Sequence, residues 1–206
     1  MTATHARVTM IDYGIGNVRS VQKALAFVGA EVQLSDDPAQ ILAARRLVLP
    51  GVGAFGAGMA ALRRRNLIAP LNDAVAAGTP LLGICLGMQL LFDESEELGL
   101  HEGLALIPGR VLRFTGEDLL VPHVGWNQLQ HDGSHPLLHG VPVGAHAYFV
   151  HSYYCRPDSP QITVGSTTYG QPFAAVIAHH NVFGLQFHPE KSQHVGLQML
   201  QNFVAM

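Results

Sequence analysis

The chain is predicted to be an α/β protein: a mostly parallel central sheet flanked by helices, with antiparallel strands added in its second half. Three observations carry that expectation. Extended apolar runs alternate with helical-period segments through the first hundred residues. Short β-rich runs separated by turn residues follow. The 206 residues are 48% hydrophobic and only 13% charged, a balance suited to a sheet covered on both faces.

Taken in order, residues 8–11 read as a strand. Residues 17–28 read as a helix with Val18, Val21, Leu25 and Val28 on one face and Gly29 as its stop. Residues 31–34 and 46–49 are further strands. A helical stretch over 59–77 is expected to break near Pro70. Residues 79–82 form a buried strand, and 88–92 a helix. Strands alternating with helices imply parallel pairing through right-handed crossovers. Beyond residue 104, strands are expected at 109–114, 148–154, 162–166 and 173–180, with turns at Asp132-Gly133 and Asn181. These should add antiparallel to one edge or end of the sheet. A buried strand leads to Phe187, and a last helix over 194–204 turns Leu197, Leu200 and Val204 to the core. No repeat, low-complexity tract or linker interrupts the chain, so one domain over 1–206 is expected.

A net charge of −3 offers no bulk attraction for nucleic acid or an anionic membrane surface. Two cysteines, Cys85 and Cys155, make no disulfide framework and suit a reducing cytoplasm. Residues 1–7 carry no apolar leader, and no stretch approaches the ~20 apolar residues that span a bilayer. A soluble intracellular protein is expected.

The chemistry centres on Gly83-Ile84-Cys85-Leu86-Gly87, which turns from an apolar strand into a helix. Glycine two places either side lets the backbone fold tightly enough to hold the middle side chain proud of the sheet, the layout of a nucleophile elbow with cysteine in place of serine. A helix N-terminus there would favour thiolate over thiol. Free cysteine is among the most buried residue types, and Cys155, in Tyr153-Tyr154-Cys155-Arg156-Pro157, has no such frame and reads as core.

A nucleophile of this kind needs a base and an orienting group. Of twelve histidines, His188 in Phe187-His188-Pro189-Glu190 follows a buried strand. If the chain stays extended there, residues i and i+2 share a side, so Glu190 can fix the imidazole tautomer. His131, His135 and His139 have i, i+4 spacing, but Gly133 and Pro136 oppose a helix. They read as loop histidines rather than zinc ligands, and no metal is expected.

Pro50-Gly51-Val52-Gly53-Ala54-Phe55-Gly56 formally contains G-x-G-x-x-G. A dinucleotide site expects an acidic residue ~20 positions later at the end of the next strand. That offset falls near Asp73 inside a helical stretch, while the next strand ends at Cys85. No P-loop occurs. A glycine loop leaving a neighbouring strand would instead lie beside the elbow, where its N–H groups could meet a reacting carbonyl. Leu86 N–H, with an N–H of Val52 or Gly53, forms the candidate oxyanion pair.

Together the Pro-Gly-x-Gly loop, Gly-x-Cys-x-Gly with Gln89 downstream, and His-Pro-Glu resemble the class I glutamine amidotransferases. Within that class, Asp12-Tyr13-Gly14-Ile15-Gly16-Asn17, Pro122-His123-Val124-Gly125-Trp126-Asn127, Tyr148-Phe149-Val150-His151-Ser152-Tyr153 and Phe187-His188-Pro189-Glu190-Lys191-Ser192 look like the glutaminase subunits of imidazole glycerol phosphate synthase. The resemblance implies hydrolysis of L-glutamine to glutamate and ammonia by Cys85, His188 and Glu190, without a cofactor. It further implies that Gly53, Gln89, Ser152 and Tyr153 hold glutamine, with Glu97 on its α-ammonium. Glu94 and Glu96 crowd that register. Ammonia would pass to a separate (β/α)8-barrel cyclase/synthase subunit in a heterodimer serving histidine biosynthesis, with Asn17, His123 and Trp126 on the docking face. The alternatives are a glutaminase for a pyridoxal phosphate or anthranilate type synthase, and a non-catalytic α/β binding protein.

Overall fold

The computed structural model describes residues 6–116 and 118–206. The leader segment considered above falls partly on residues 1–5, outside the described residues. Strands β1 (Ala6–Ile11), β2 (Ala30–Ser35), β3 (Leu47–Gly51) and β4 (Leu81–Cys85) alternate with helices α1 (Val18–Phe27), α2 (Pro38–Leu42), α3 (Phe55–Arg64) and α4 (Ile68–Ala76). Helix α5 (Leu86–Leu90) follows β4 directly. The second half holds β5 (Phe92–Ser95), β6 (His101–Glu102), β7 (Ile107–Arg113), β8 (His123–Gln128), β9 (His146–His151), β10 (Tyr153–Pro157), β11 (Thr163–Tyr169), β12 (Gln171–His179) and β13 (Val182–Leu185). Helix α6 (Gln193–Ala205) ends the chain.

Among the described residues the main sheet has seven strands in the order β11-β12-β13-β4-β3-β1-β2. Five are parallel, from β13 through β4, β3 and β1 to β2, while β12 runs antiparallel to both β13 and β11. The inner strands β3, β4 and β13 are buried at every position because both faces are covered, whereas the edge strands β2 and β11 carry polar, partly exposed residues. The period of two sorts them: Val48, Leu82 and Ile84 face one layer, and Leu47, Leu49 and Leu81 the other. Helices α1 and α6 cover the first face with Val21, Leu25, Met199, Leu200 and Phe203. Helices α2 to α5 cover the second with Ile41, Met59, Leu62, Leu71 and Met88.

Several expectations were displaced. The 59–77 stretch breaks at Asn66, which takes a left-handed φ of 55°, and not at Pro70. Pro70 is instead the third residue of α4, where a missing N–H costs nothing because the first helical N–H groups have no intrahelical partner. The 88–92 helix begins two residues earlier and ends at Leu90, after which Phe92 opens a strand. The 148–154 run is two strands divided at Ser152, and they enter different sheets: β9 pairs with β8, and β10 joins β7, β5 and β6. The added strands therefore extend one edge of the main sheet and also build two smaller sheets.

Leu200 is fully buried, whereas Leu197 on the same helix is only partly so. Leu200→Ala should cost about 2–5 kcal/mol of unfolding free energy from the cavity it leaves. Leu197→Ala should cost clearly less, as read by urea denaturation. Equal losses would mean that α6 packs on a different face.

Candidate active site

The C-terminal edge of the parallel sheet gathers the expected residues, where open α/β sheets place ligands. Strand β4 lies between β3 and β13, with Gly51 in register beside Cys85 and Leu185 beside Ile84. Cys85 ends β4 at φ 54° and ψ −112°, and Leu86 begins α5 at once. That backbone conformation costs on the order of 1–3 kcal/mol for an L-residue. The flanking glycines explain how it is held. A Cβ on Gly87 would run into the Leu49 carbonyl, and one on Gly83 would stand 2.6 Å from the Gly87 carbonyl oxygen. Only hydrogen at both positions lets α5 fold back across β3 and β4 this closely.

His188 follows β13 and is 3% exposed, with its Nδ1 3.0 Å from Glu190 Oε1. A carboxylate accepts, so Nδ1 carries the proton and Nε2 is left for Cys85. The pairing arises differently from the extended route expected from sequence: Pro189–Lys191 form a 3-10 turn that swings Glu190 back to its neighbour. Burial alone would lower the His188 pKa. Hydrogen bonding to Cys85 and Glu190, reinforced by their charges, outweighs burial and pushes it up to about 9. The arrangement favours an imidazolium beside sulfur. The Tyr13 hydroxyl is buried in the same region, and its phenol is pushed up by burial and then by the Cys85 charge.

Cys85 and His188 open into a cleft of about 330 Å³ that also touches Val52, Gly53, Leu86, Gln89, Glu97, Ser152 and Tyr153. Its size suits a small molecule. Gly53 has φ 101°, which strains any other residue even though no neighbour crowds it. Leu86, first in α5, has an N–H with no intrahelical partner. Of the three crowded glutamates, Glu94 pairs with Arg110 at 2.7 Å and Glu96 accepts from Arg113 N–H at 2.8 Å. Glu97 alone of the three lines the cleft, held by the Phe55 N–H at the start of α3 (2.6 Å). Another cleft of about 380 Å³, against Arg7, Glu31, Gln33 and Arg45, is lined by no cysteine or histidine.

The three docking-face residues separate. Trp126 is 48% exposed on β8, edge-on to Tyr148. Asn17 is half-buried at the N-cap of α1. His123 corrects the expectation: its ring points inward, stacked on Phe149 and Tyr169, and offers a partner no surface. Strand alternation places it opposite Val124, whose side chain is exposed. Sequence reasoning also missed Pro122, Val150 and His151, which line the cleft, and Gln186, which is buried against Gln89. The i, i+2 relation of His151 to Tyr153 was the available signal.

Because its folded-state pKa lies above the ordinary 6.5, His188 adds stability that is fully present below about 6.5 and is lost as pH rises through about 9. Glu190→Gln should bring the His188 pKa down towards 6.5 in an NMR titration of the imidazole. The urea-midpoint gap between this variant and the parent should narrow as pH rises through about 9. An unchanged titration would remove Glu190 from the set.

Similarity to known proteins agrees with this geometry. Residues 9–206 match the glutamine amidotransferase class-I family model. The chain is 50% identical over 204 residues to the imidazole glycerol phosphate synthase subunit HisH of Salinibacter ruber (strain DSM 13855 / M31), covering 96% of this chain and 94% of that protein. It is 49% identical over 202 residues to the HisH subunit of Syntrophotalea carbinolica (strain DSM 2380 / NBRC 103641 / GraBd1), covering 95% and 98%. The fold superposes on the solved structure of PurLQS from Thermotoga maritima with TM-score 0.76 at 19% identity, covering 98% of both chains. The chain belongs to the class-I glutamine amidotransferases and, within them, to the family of imidazole glycerol phosphate synthase HisH subunits.

Proposed function

We infer that this chain is the glutaminase subunit of an imidazole glycerol phosphate synthase, hydrolysing L-glutamine to glutamate and ammonia for histidine biosynthesis. The observation that carries the reading is the meeting of a strained Cys85 with His188 and Glu190 at adjacent strand ends, in a cleft sized for one small molecule. Cys85 sulfur attacks the side-chain amide carbon and forms a C–S bond. The carbonyl electrons move to oxygen, where Leu86 N–H and an N–H of Val52 or Gly53 are the proposed donors. His188 gives its Nε2 proton to nitrogen as the C–N bond breaks, releasing ammonia and leaving a γ-glutamyl thioester. The now neutral imidazole takes a proton from water, whose oxygen bonds to the thioester carbon as the C–S bond breaks, freeing glutamate and returning Cys85 as the thiolate. Glu190 holds Nδ1–H throughout.

Gly53, Gln89, Ser152 and Tyr153 are assigned to the bound glutamine, and Glu97 to its α-ammonium, since a carboxylate in the cleft matches that charge. All of this belongs to one glutaminase domain over 1–206. The ammonia acceptor is proposed to be a (β/α)8-barrel cyclase/synthase subunit docked as a heterodimer, with exposed Trp126 and half-buried Asn17 contributing to the contact. No described helix is long and apolar enough to cross a membrane. Two free cysteines with no disulfide between them suit a reducing compartment, and we place the protein in the cytoplasm.

Cys85→Ala should abolish ammonia release from glutamine while leaving the synthase subunit able to run on added ammonia. Retained glutamine turnover would dismiss Cys85 as nucleophile. Glutaminase turnover should rise when the barrel is added and rise again with its ribonucleotide substrate; equal rates in all three would count against the partnership.

A further inference from the structure

The inner face of the β8–β9 hairpin carries a chain of hydrogen bonds whose direction can be deduced at every link. His151 Nδ1 lies 2.8 Å from the Tyr153 carbonyl, which can only accept, so Nδ1 holds a hydrogen. Burial keeps His151 neutral, holding its pKa down at about 3, so Nε2 is bare. His123 Nδ1 stands 3.1 Å from that Nε2 and therefore donates. His123 is neutral as well, burial lowering it to about 4, so its Nε2 accepts from Asn127 Nδ2 at 3.2 Å. The Asn127 amide cannot be reversed, because its Oδ1 accepts from Gln128 N–H at 2.8 Å and its Nδ2 also donates to Thr168 O at 2.9 Å.

At the far end, the Tyr153 carbonyl takes a second donor, Gln89 Nε2 at 3.0 Å, which also donates to Gln186 Oε1 at 3.2 Å. Both Nε2 hydrogens of Gln89 are thereby committed, and its Oε1 is what remains for the cleft. The rings are gripped by aromatics: His123 lies between Tyr169, with ring centroids 4.1 Å apart, and Phe149, at 5.0 Å, while Phe114 sits 5.3 Å from His151. Both rings are buried, and the His123–His151 link between them is enclosed, where a low local dielectric strengthens a satisfied hydrogen bond.

We propose that His151 and His123 are positioning residues for glutamine: their one-way hydrogen-bond chain fixes the Tyr153 carbonyl, which in turn locks the Gln89 amide with its oxygen presented to the substrate. The proposal rests on the assignment of Gln89, Ser152 and Tyr153 to the glutamine site. Releasing the Tyr153 carbonyl would let that segment shift and the Gln89 amide turn, weakening substrate binding more than the chemistry at Cys85. Two imidazoles satisfied in an aromatic core would serve packing alone equally well, so the discriminating signal is a change in KM without a matching change in kcat.

The test uses the chain assembled with its synthase subunit, with glutamine as the varied substrate. His151→Leu removes the donor to Tyr153 and should raise KM by on the order of tenfold, about one hydrogen bond's worth, with kcat changed less than about threefold. His151→Asn keeps an N–H where Nδ1–H stood and should return KM most of the way to the parent value. His123→Phe, shaped for the aromatic box, should raise KM by a smaller factor. In the parent chain, 15N NMR should show His151 as the Nδ1–H tautomer with Nε2 accepting a hydrogen bond. An Nε2–H tautomer, an unchanged KM in His151→Leu, or a fall confined to kcat would each overturn the proposal. Should His151→Leu not fold, His123→Phe and the 15N spectrum still decide it. A parent chain that labels at Cys85 with a glutamine-analogue electrophile but shows the wrong tautomer sinks this inference alone; a parent that neither labels nor turns over glutamine sinks the glutaminase assignment.

Discussion

The catalytic edge depends on the parallel register that sets Gly51 beside Cys85 and Leu185 beside Ile84. Three neighbouring strands supply three different parts: β4 the nucleophile, β13 the base, and β3 the glycine loop. A slip of one residue in either pairing would turn each contributing side chain to the other face of the sheet. The close contact between α5 and β3 secures the arrangement, since Gly87 passes the Leu49 carbonyl with no space for a methyl group. The sheet therefore holds Cys85 in a conformation that the isolated chain would not adopt.

Burial and charge then divide the histidines into two kinds. His188 is buried, yet its contacts with Cys85 and Glu190 push it up to about 9, and it is suited to carrying a proton. His151 and His123 are buried among aromatic rings with only neutral hydrogen-bond partners; burial, joined at His151 by the nearby His188 charge, holds them at about 3 and about 4. These two are suited to holding hydrogen bonds in one direction. The same residue type serves as acid–base group or as a fixed link according to whether Cys85 and a carboxylate, or only a carbonyl and neutral side chains, stand beside it.

Much of this was legible in the sequence. The elbow around Cys85 showed itself through glycine spacing, and the base and its carboxylate through two residues either side of Pro189. The strand–helix alternation of the first half is local and periodic, so it could be read. The second half was harder. A single β-rich run over 148–154 became two strands in two sheets, because Ser152 breaks the chain at the cleft. The break at Asn66 was masked by the stronger punctuation of Pro70, whose place in the first turn of α4 is harmless.

The sequence by itself determined which groups could do chemistry: a framed thiol, an imidazole with a carboxylate two residues away, and a glycine loop. Tertiary structure alone decided which of Glu94, Glu96 and Glu97 reaches the cleft, that His123 faces inward to meet His151, and that Tyr153, Gln89 and Gln186 meet. The reason is separation along the chain. His123 and His151 are 28 positions apart, and Gln89 and Gln186 are 97 apart. No periodicity or local spacing encodes such meetings; they exist only once the sheets have paired and the aromatic layer has closed around them.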